Sequence, residues 1–160
     1  LDQNSFETQE TVIRSRFWRS TTRKIRRSAF GPIISDSKTV KCGGRGPIAL
    51  RWVGHEPNDE MTSFMNCARA RNADEFRRAF IGYGVSGQNM LFATRSGDIG
   101  HILAVTQPVR TAFPKDDLVL DAKDPATHWR GFAGVMDLPM RLNPEAGVIA
   151  SANDRPAPLT

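Results

Sequence analysis

The chain has 160 residues, 39% hydrophobic and 24% charged, with a net charge of +5. That composition is ordinary for a soluble globular protein and supplies core for one domain but not two. No apolar run approaches the ~20 residues that a membrane-spanning helix needs.

The opening residues, Leu1-Asp2-Gln3-Asn4-Ser5, carry no initiator Met, and neither the basic start nor the apolar stretch of a signal peptide. The expectation is a piece of something larger. Residues 7–18 read as an extended strand. Thr11-Val12-Ile13 leads into Arg14, Arg16, Arg19, Arg23, Lys24, Arg26 and Arg27, a basic run that reads as a solvent-washed strand. It lacks the interleaved aromatics and recognition-helix pattern of a nucleic-acid surface. Ser28 to Asp36 contains a Gly31-Pro32 turn feeding a short apolar strand. Gly43-Gly44-Arg45-Gly46-Pro47 is a loop, and Ile48 to Val53 is a further strand candidate.

Around Asp59 the period changes. Met61, Phe64, Met65 and Ala68 recur at helical spacing, which predicts a helix over 60–70. Asn72 with Glu75 three residues later forms a capping box for a second helix, whose buried face is Phe76, Ala79 and Phe80. Asn89 to Thr94 and Ile99 to Val105 flank Arg95-Ser96-Gly97-Asp98 and read as a β-hairpin. Residues 107–145 show no sustained period and read as a long irregular connection. Gly147 to Ala152 reads as a short closing strand before Asn153-Asp154-Arg155-Pro156. Strands covered by a helical pair give an α+β class. Cys42 and Cys67 lack metal-ligand spacing. His55, His101 and His128 fit no zinc pattern, so no metal ligand is assigned.

Four segments, in order, carry a resemblance. They are Phe30-Gly31-Pro32-Ile33-Ile34; Gln88-Asn89-Met90-Leu91-Phe92-Ala93 through Gly97-Asp98-Ile99-Gly100-His101; His128-Trp129-Arg130-Gly131-Phe132 with Leu138-Pro139; and Asn143-Pro144-Glu145-Ala146-Gly147-Val148-Ile149-Ala150-Ser151-Ala152-Asn153-Asp154-Arg155-Pro156. Together they resemble the penicillin acylase (penicillin amidase) family of N-terminal nucleophile hydrolases, with the last segment the most specific. The departures are Phe30 where a His is common, Thr94 where an Asp is usual, Asp98 where an Asn is usual, and Asp154 in place of a second Asn.

The resemblance implies a partial αββα fold, with residues 1–160 a segment of the β-chain. The implied reaction is hydrolysis of linear amides, of the penicillin or acyl-homoserine lactone type. It proceeds through an acyl-enzyme on an N-terminal Ser that this chain does not contain, and that residue's own α-amino group serves as base. Asn153 matches the family's oxyanion-hole carboxamide; on spacing alone it is an Asx-turn residue closing a strand. Phe64 and Gln88 match positions that line the acyl-group pocket; on the residues alone, Phe64 is helix core and Gln88 a loop residue bonding backbone. No cofactor serves catalysis, and a structural calcium in the full-length enzyme would draw its best ligands from outside this segment. Partners are a small-molecule amide and the remainder of the acylase, its α-chain and the N-terminal part of its β-chain; neither nucleic acid nor membrane is expected. Family analogy places the protein in the periplasm or outside the cell. The rival reading is a non-catalytic basic domain that binds anions or nucleic acid through residues 14–27.

Overall fold

The structure is a computed structural model, and it describes residues 6–111 and 119–153. Where composition suggested one domain, the chain groups into two compact units. One is Leu1–His55 with Ala112–His128, the other Glu56–Thr111 with Trp129–Thr160.

In the first unit, β1 (Glu7–Ile13) pairs antiparallel with β2 (Thr21–Ser28), and β2 pairs with the two-residue β3 (Gly31–Pro32). The strand expected over 7–18 therefore stops at Ile13. The basic run turns through residues 14–20 and continues as β2. Gly31 sits at φ +124°, and a Cβ there would collide with the Leu50 carbonyl oxygen; only glycine admits this approach. The approach takes the place of the strand expected at Ile48 to Val53. That segment makes one bridge, Ala49 to Ile33, with Leu50 N donating to Pro32 O at 2.9 Å, and then tightens into a 3₁₀ turn at Val53–His55. The apolar strand expected after Gly31-Pro32 likewise gives way to a 3₁₀ turn at Ile34–Asp36.

The second unit carries the core. Helix α1 (Glu60–Cys67) starts at Asp59, whose side chain accepts from Thr62 N. Helix α2 (Ala73–Ala79) starts at Asn72, whose side chain accepts from Glu75 N at 2.9 Å. The reciprocal bond of the expected capping box lands one residue early, since Glu75 Oε2 accepts from Arg71 N. Strands β4 (Gln88–Ala93) and β5 (Ile99–Ala104) form the expected hairpin, with Gln88 opposite Ala104 and Ala93 opposite Ile99. On β5 the period-two pattern is plain: Gly100, Ile102 and Ala104 are buried and alternate with half-buried neighbours. Ile102 and Ala104 join Ala79, Phe80, Tyr83 and Val135 in the core. Phe92 packs on Phe76 of α2 with ring centroids 4.6 Å apart, and a Cβ on Gly100 would enter the Phe92 ring.

The connection expected to be irregular contains three short strands. β6 (Gln107–Val109) pairs with β7 (Gly131–Ala133), and β8 (Met140–Leu142) pairs with β5, so the second sheet runs β4-β5-β8. Three-residue strands fall below the length at which alternation is visible. The closing segment moves the other way. Residues 148–150 form no strand among the described residues, and a turn closes just before them, with Gly147 N donating to Pro144 O at 2.8 Å. β-branched content favoured a strand there, but a strand exists only where a neighbour accepts its ladder. The class is α+β, antiparallel sheets with a helical pair, as the sequence implied.

Candidate functional site

Phe64, Gln88 and Asn153 all belong to the second unit. Phe64 lies on α1 and is 47% exposed; its ring meets Phe80 and Tyr83 edge-on, at 6.1 and 5.8 Å between centroids. It is thus part core and part surface. Gln88 is the exposed first residue of β4. Asn153 is exposed, with φ 65° and its backbone N–H donating to Ser151 Oγ at 3.2 Å. No hydrogen bond joins Gln88 to Asn153 among the described residues. Asp154, Arg155 and Pro156 lie outside those residues.

What ties Phe64 to Gln88 is the loop between them. Glu60, at the start of α1, accepts from Gly84 N and Val85 N at 3.2 and 3.0 Å. Those bonds, the one to Val85 foremost, hold its carboxyl below the usual range against the opposing effect of burial. Tyr83 OH donates to Ser86 O, Thr106 Oγ1 donates to Tyr83 O, and Thr106 N donates to Gly84 O at 3.1 Å. Burial, and secondarily the Glu60 charge, raises the Tyr83 phenol, which keeps it protonated as a donor. The carboxylate of Glu60 and the hydroxyls of Tyr83 and Thr106 thereby fix the segment that delivers Gln88. The bonds of Glu60 to Val85 and of Thr106 to Tyr83 carried no sequence signal, because they join residues 25 and 23 apart and follow no local period.

Upstream of Asn153, Asn143 and Arg77 hold the chain over residues 135–143. Asn143 sits at φ 45°; its side chain accepts from Ile99 N at 2.9 Å and donates to Asp98 Oδ1 at 2.8 Å. Asp98 also accepts from Ser96 Oγ at 2.9 Å and from Thr94 Oγ1 at 3.3 Å. These bonds, Asn143 first, depress the Asp98 carboxyl. Two departures from the family pattern, Thr94 and Asp98, therefore contact one another. The Arg77 guanidinium donates to three carbonyls on the chain leading into β8: Val135 O at 3.1 Å, Met136 O at 3.0 Å and Leu138 O at 2.7 Å.

The histidines serve local packing. His101 Nε2 shares a hydrogen bond with Asn89 Oδ1 at 2.8 Å, His128 Nε2 bonds Ala122 O at 2.9 Å, and His55 meets Trp52 edge-on. Cys67 is partly buried, which raises its thiol and keeps it neutral. Among the described residues, no group of three or more His, Cys, Asp or Glu is placed to hold a metal ion. A cleft of about 400 Å³ is lined by Arg71, Asn72, Phe76, Phe92, Thr94 and Arg95, at the end of the hairpin away from Gln88, and contains none of the three matched residues.

The family model described as penicillin amidase matches residues 2–160. Among solved structures, the chain is similar to a thermostable penicillin G acylase from Alcaligenes faecalis, at 25% identity and a TM-score of 0.66. The match covers 97% of this chain and 27% of that one. With the sequence match spanning almost every residue and the fold agreeing over the same length, this chain belongs to the penicillin amidase family.

Proposed function

We propose that this chain is part of an amidohydrolase that cleaves linear amides, of the penicillin or acyl-homoserine lactone type, through an acyl-enzyme. The observation that carries the reading is the family match across residues 2–160, which includes the segment from Asn143 to Pro156. An N-terminal Ser outside this chain attacks the amide carbonyl while its α-amino group takes the proton. The Asn153 carboxamide donates to the oxyanion as negative charge develops. Phe64 offers apolar surface to the acyl group and Gln88 a polar group beside it, the mixture that such pockets use. Water then releases the acid. The remaining chain, the α-chain with the start of the β-chain, supplies the rest of the site, and the same oxyanion donor assists self-cleavage. A periplasmic or secreted location and a structural calcium belong to the same proposal, with calcium ligands drawn from outside this segment.

The test uses Asn153 in the processed, full-length enzyme. Because Asn153 has positive φ, alanine adds about 1–2 kcal/mol of backbone strain, whereas glycine removes the side chain without it. Asn153→Gly and Asn153→Ala should both lower kcat by roughly 10²–10³, with much smaller changes in KM. Asn153→Asp should be at least as harmful, since a carboxylate repels the developing charge, while Asp154→Asn should be mild. Near-normal kcat for Asn153→Gly would show that the residue only makes a turn.

A further inference from the structure

The hairpin β1–β2 ends in residues 14–20, Arg-Ser-Arg-Phe-Trp-Arg-Ser. At its apex Phe17 and Trp18 are 84% and 83% exposed, the most exposed large apolar side chains among the described residues. Two adjacent aromatics held in water are unfavourable unless something covers them.

The charge around them is arranged by position. Down the stem the cations meet acids: Lys24 pairs with Glu10 at 3.2 Å, Arg26 grips Asp36 through two bonds of 2.8 and 2.6 Å, and Arg27 stands opposite Glu7. Toward the tip there is no acid at all, since residues 11–28 contain neither Asp nor Glu. Arg14, Arg16, Arg19 and Arg23 form no ion pair with a described residue, and Arg16 instead lies 5.4 Å from the Phe17 ring centre. The positive field is therefore concentrated where the aromatics are.

We infer that this hairpin tip docks on an anionic phospholipid surface, Phe17 and Trp18 entering the headgroup layer while Arg14, Arg16, Arg19 and Arg23 bind lipid phosphates. Aromatic rings favour the interfacial layer, and a tip basic residue gains from a negative leaflet over a Debye length. Single-stranded nucleic acid is a poorer fit. It needs aromatics spread along a continuous basic groove, whereas these two sit together at one end and the stem charge is neutralised. The expectation of no membrane partner rested on the lack of a span, and a hairpin tip requires none. The inference does not depend on the amidase reading, because binding is measured without substrate.

The intact protein carrying this chain would be mixed with phosphatidylcholine vesicles, with and without phosphatidylglycerol, and sedimented. It should sediment only with the anionic vesicles, and raised salt should release it. Phe17→Ser with Trp18→Ser should weaken binding about tenfold or more, as should Arg14→Gln with Arg16→Gln and Arg19→Gln. The melting temperature in the absence of vesicles should be unchanged in both. Trp18→Phe, a substitution the fold tolerates at an exposed tip, should bind nearly as well but lose the blue shift of Trp emission on binding. Sedimentation that ignores phosphatidylglycerol, or equal binding by the double serine variant, would overturn the inference. So would tighter binding to a single-stranded oligonucleotide than to vesicles. Failure of tip variants, Trp18→Phe included, to assemble would assign the tip to a protein contact instead.

Discussion

Arg77 is the side chain whose loss should be felt furthest from its own position. Its guanidinium joins α2 to three carbonyls between Val135 and Leu138, and the chain runs from there into β8, Asn143 and Asn153. A hydrogen bond to a charged group is worth about 1.5–3 kcal/mol. Three on one guanidinium are not additive, so the substitution Arg77→Met, which keeps the apolar stem, should cost about 3 kcal/mol. At about 1.4 kcal/mol per tenfold, amide hydrogen exchange over residues 131–142 should speed up roughly a hundredfold in the full-length protein. The adjacent Arg78 is the control. It makes one exposed i,i+4 pair with Asp74 at 2.7 Å, worth about 0.3–0.5 kcal/mol, so Arg78→Ala should alter exchange by about twofold. If Arg77→Met leaves residues 131–142 protected, or if the two arginines cost the same, the guanidinium is not what holds this segment.

Gly100→Ala should destabilise the hairpin by about 1–3 kcal/mol through overpacking, because the Phe92 ring occupies the space of the new Cβ; Gly100→Ala with Phe92→Leu should recover part of the lost melting temperature. Asp36, Asp59, Glu60 and Asp98 all have carboxyls held below their usual range, chiefly by hydrogen bonds from Arg26, Thr62, Val85 and Asn143 respectively. A depressed folded-state value gives stability that is present above the unfolded value, roughly 4, and is lost as pH falls through the folded one. Melting temperature should therefore drop as pH falls below about 4–5, and Asp98→Asn should flatten that slope at the hairpin; a flat profile in the parent protein would refute the linkage. On the proposed reading, in which the attacking Ser lies outside this chain, the 160 residues alone should release no product from an acyl anilide, as followed by absorbance with contaminating hydrolases excluded.

The amino-acid sequence by itself determined the features that close over a few residues. The two helices, the Asn72 cap and the 88–104 hairpin follow from helical spacing, a side-chain oxygen reaching an N–H three residues on, and two apolar runs joined through Gly97. The four family segments were legible for the same reason, as contiguous strings. Gln88 and Asn153 lie within those strings and Phe64 outside them; all three were matched through the family resemblance, since none has a spacing that declares a role.

Tertiary structure alone decided where short strands exist. β6, β7 and β8 are strands because a partner accepts their ladders, while residues 148–150, apolar enough for a strand, have no such partner among the described residues. It also revealed the long-range polar clamps. Glu60 reaches Val85, Arg77 reaches Leu138 and Asn143 reaches Asp98 across separations of 25, 61 and 45 residues. A hydrogen bond depends on distance in space, and at those separations the sequence carries no period from which that distance follows.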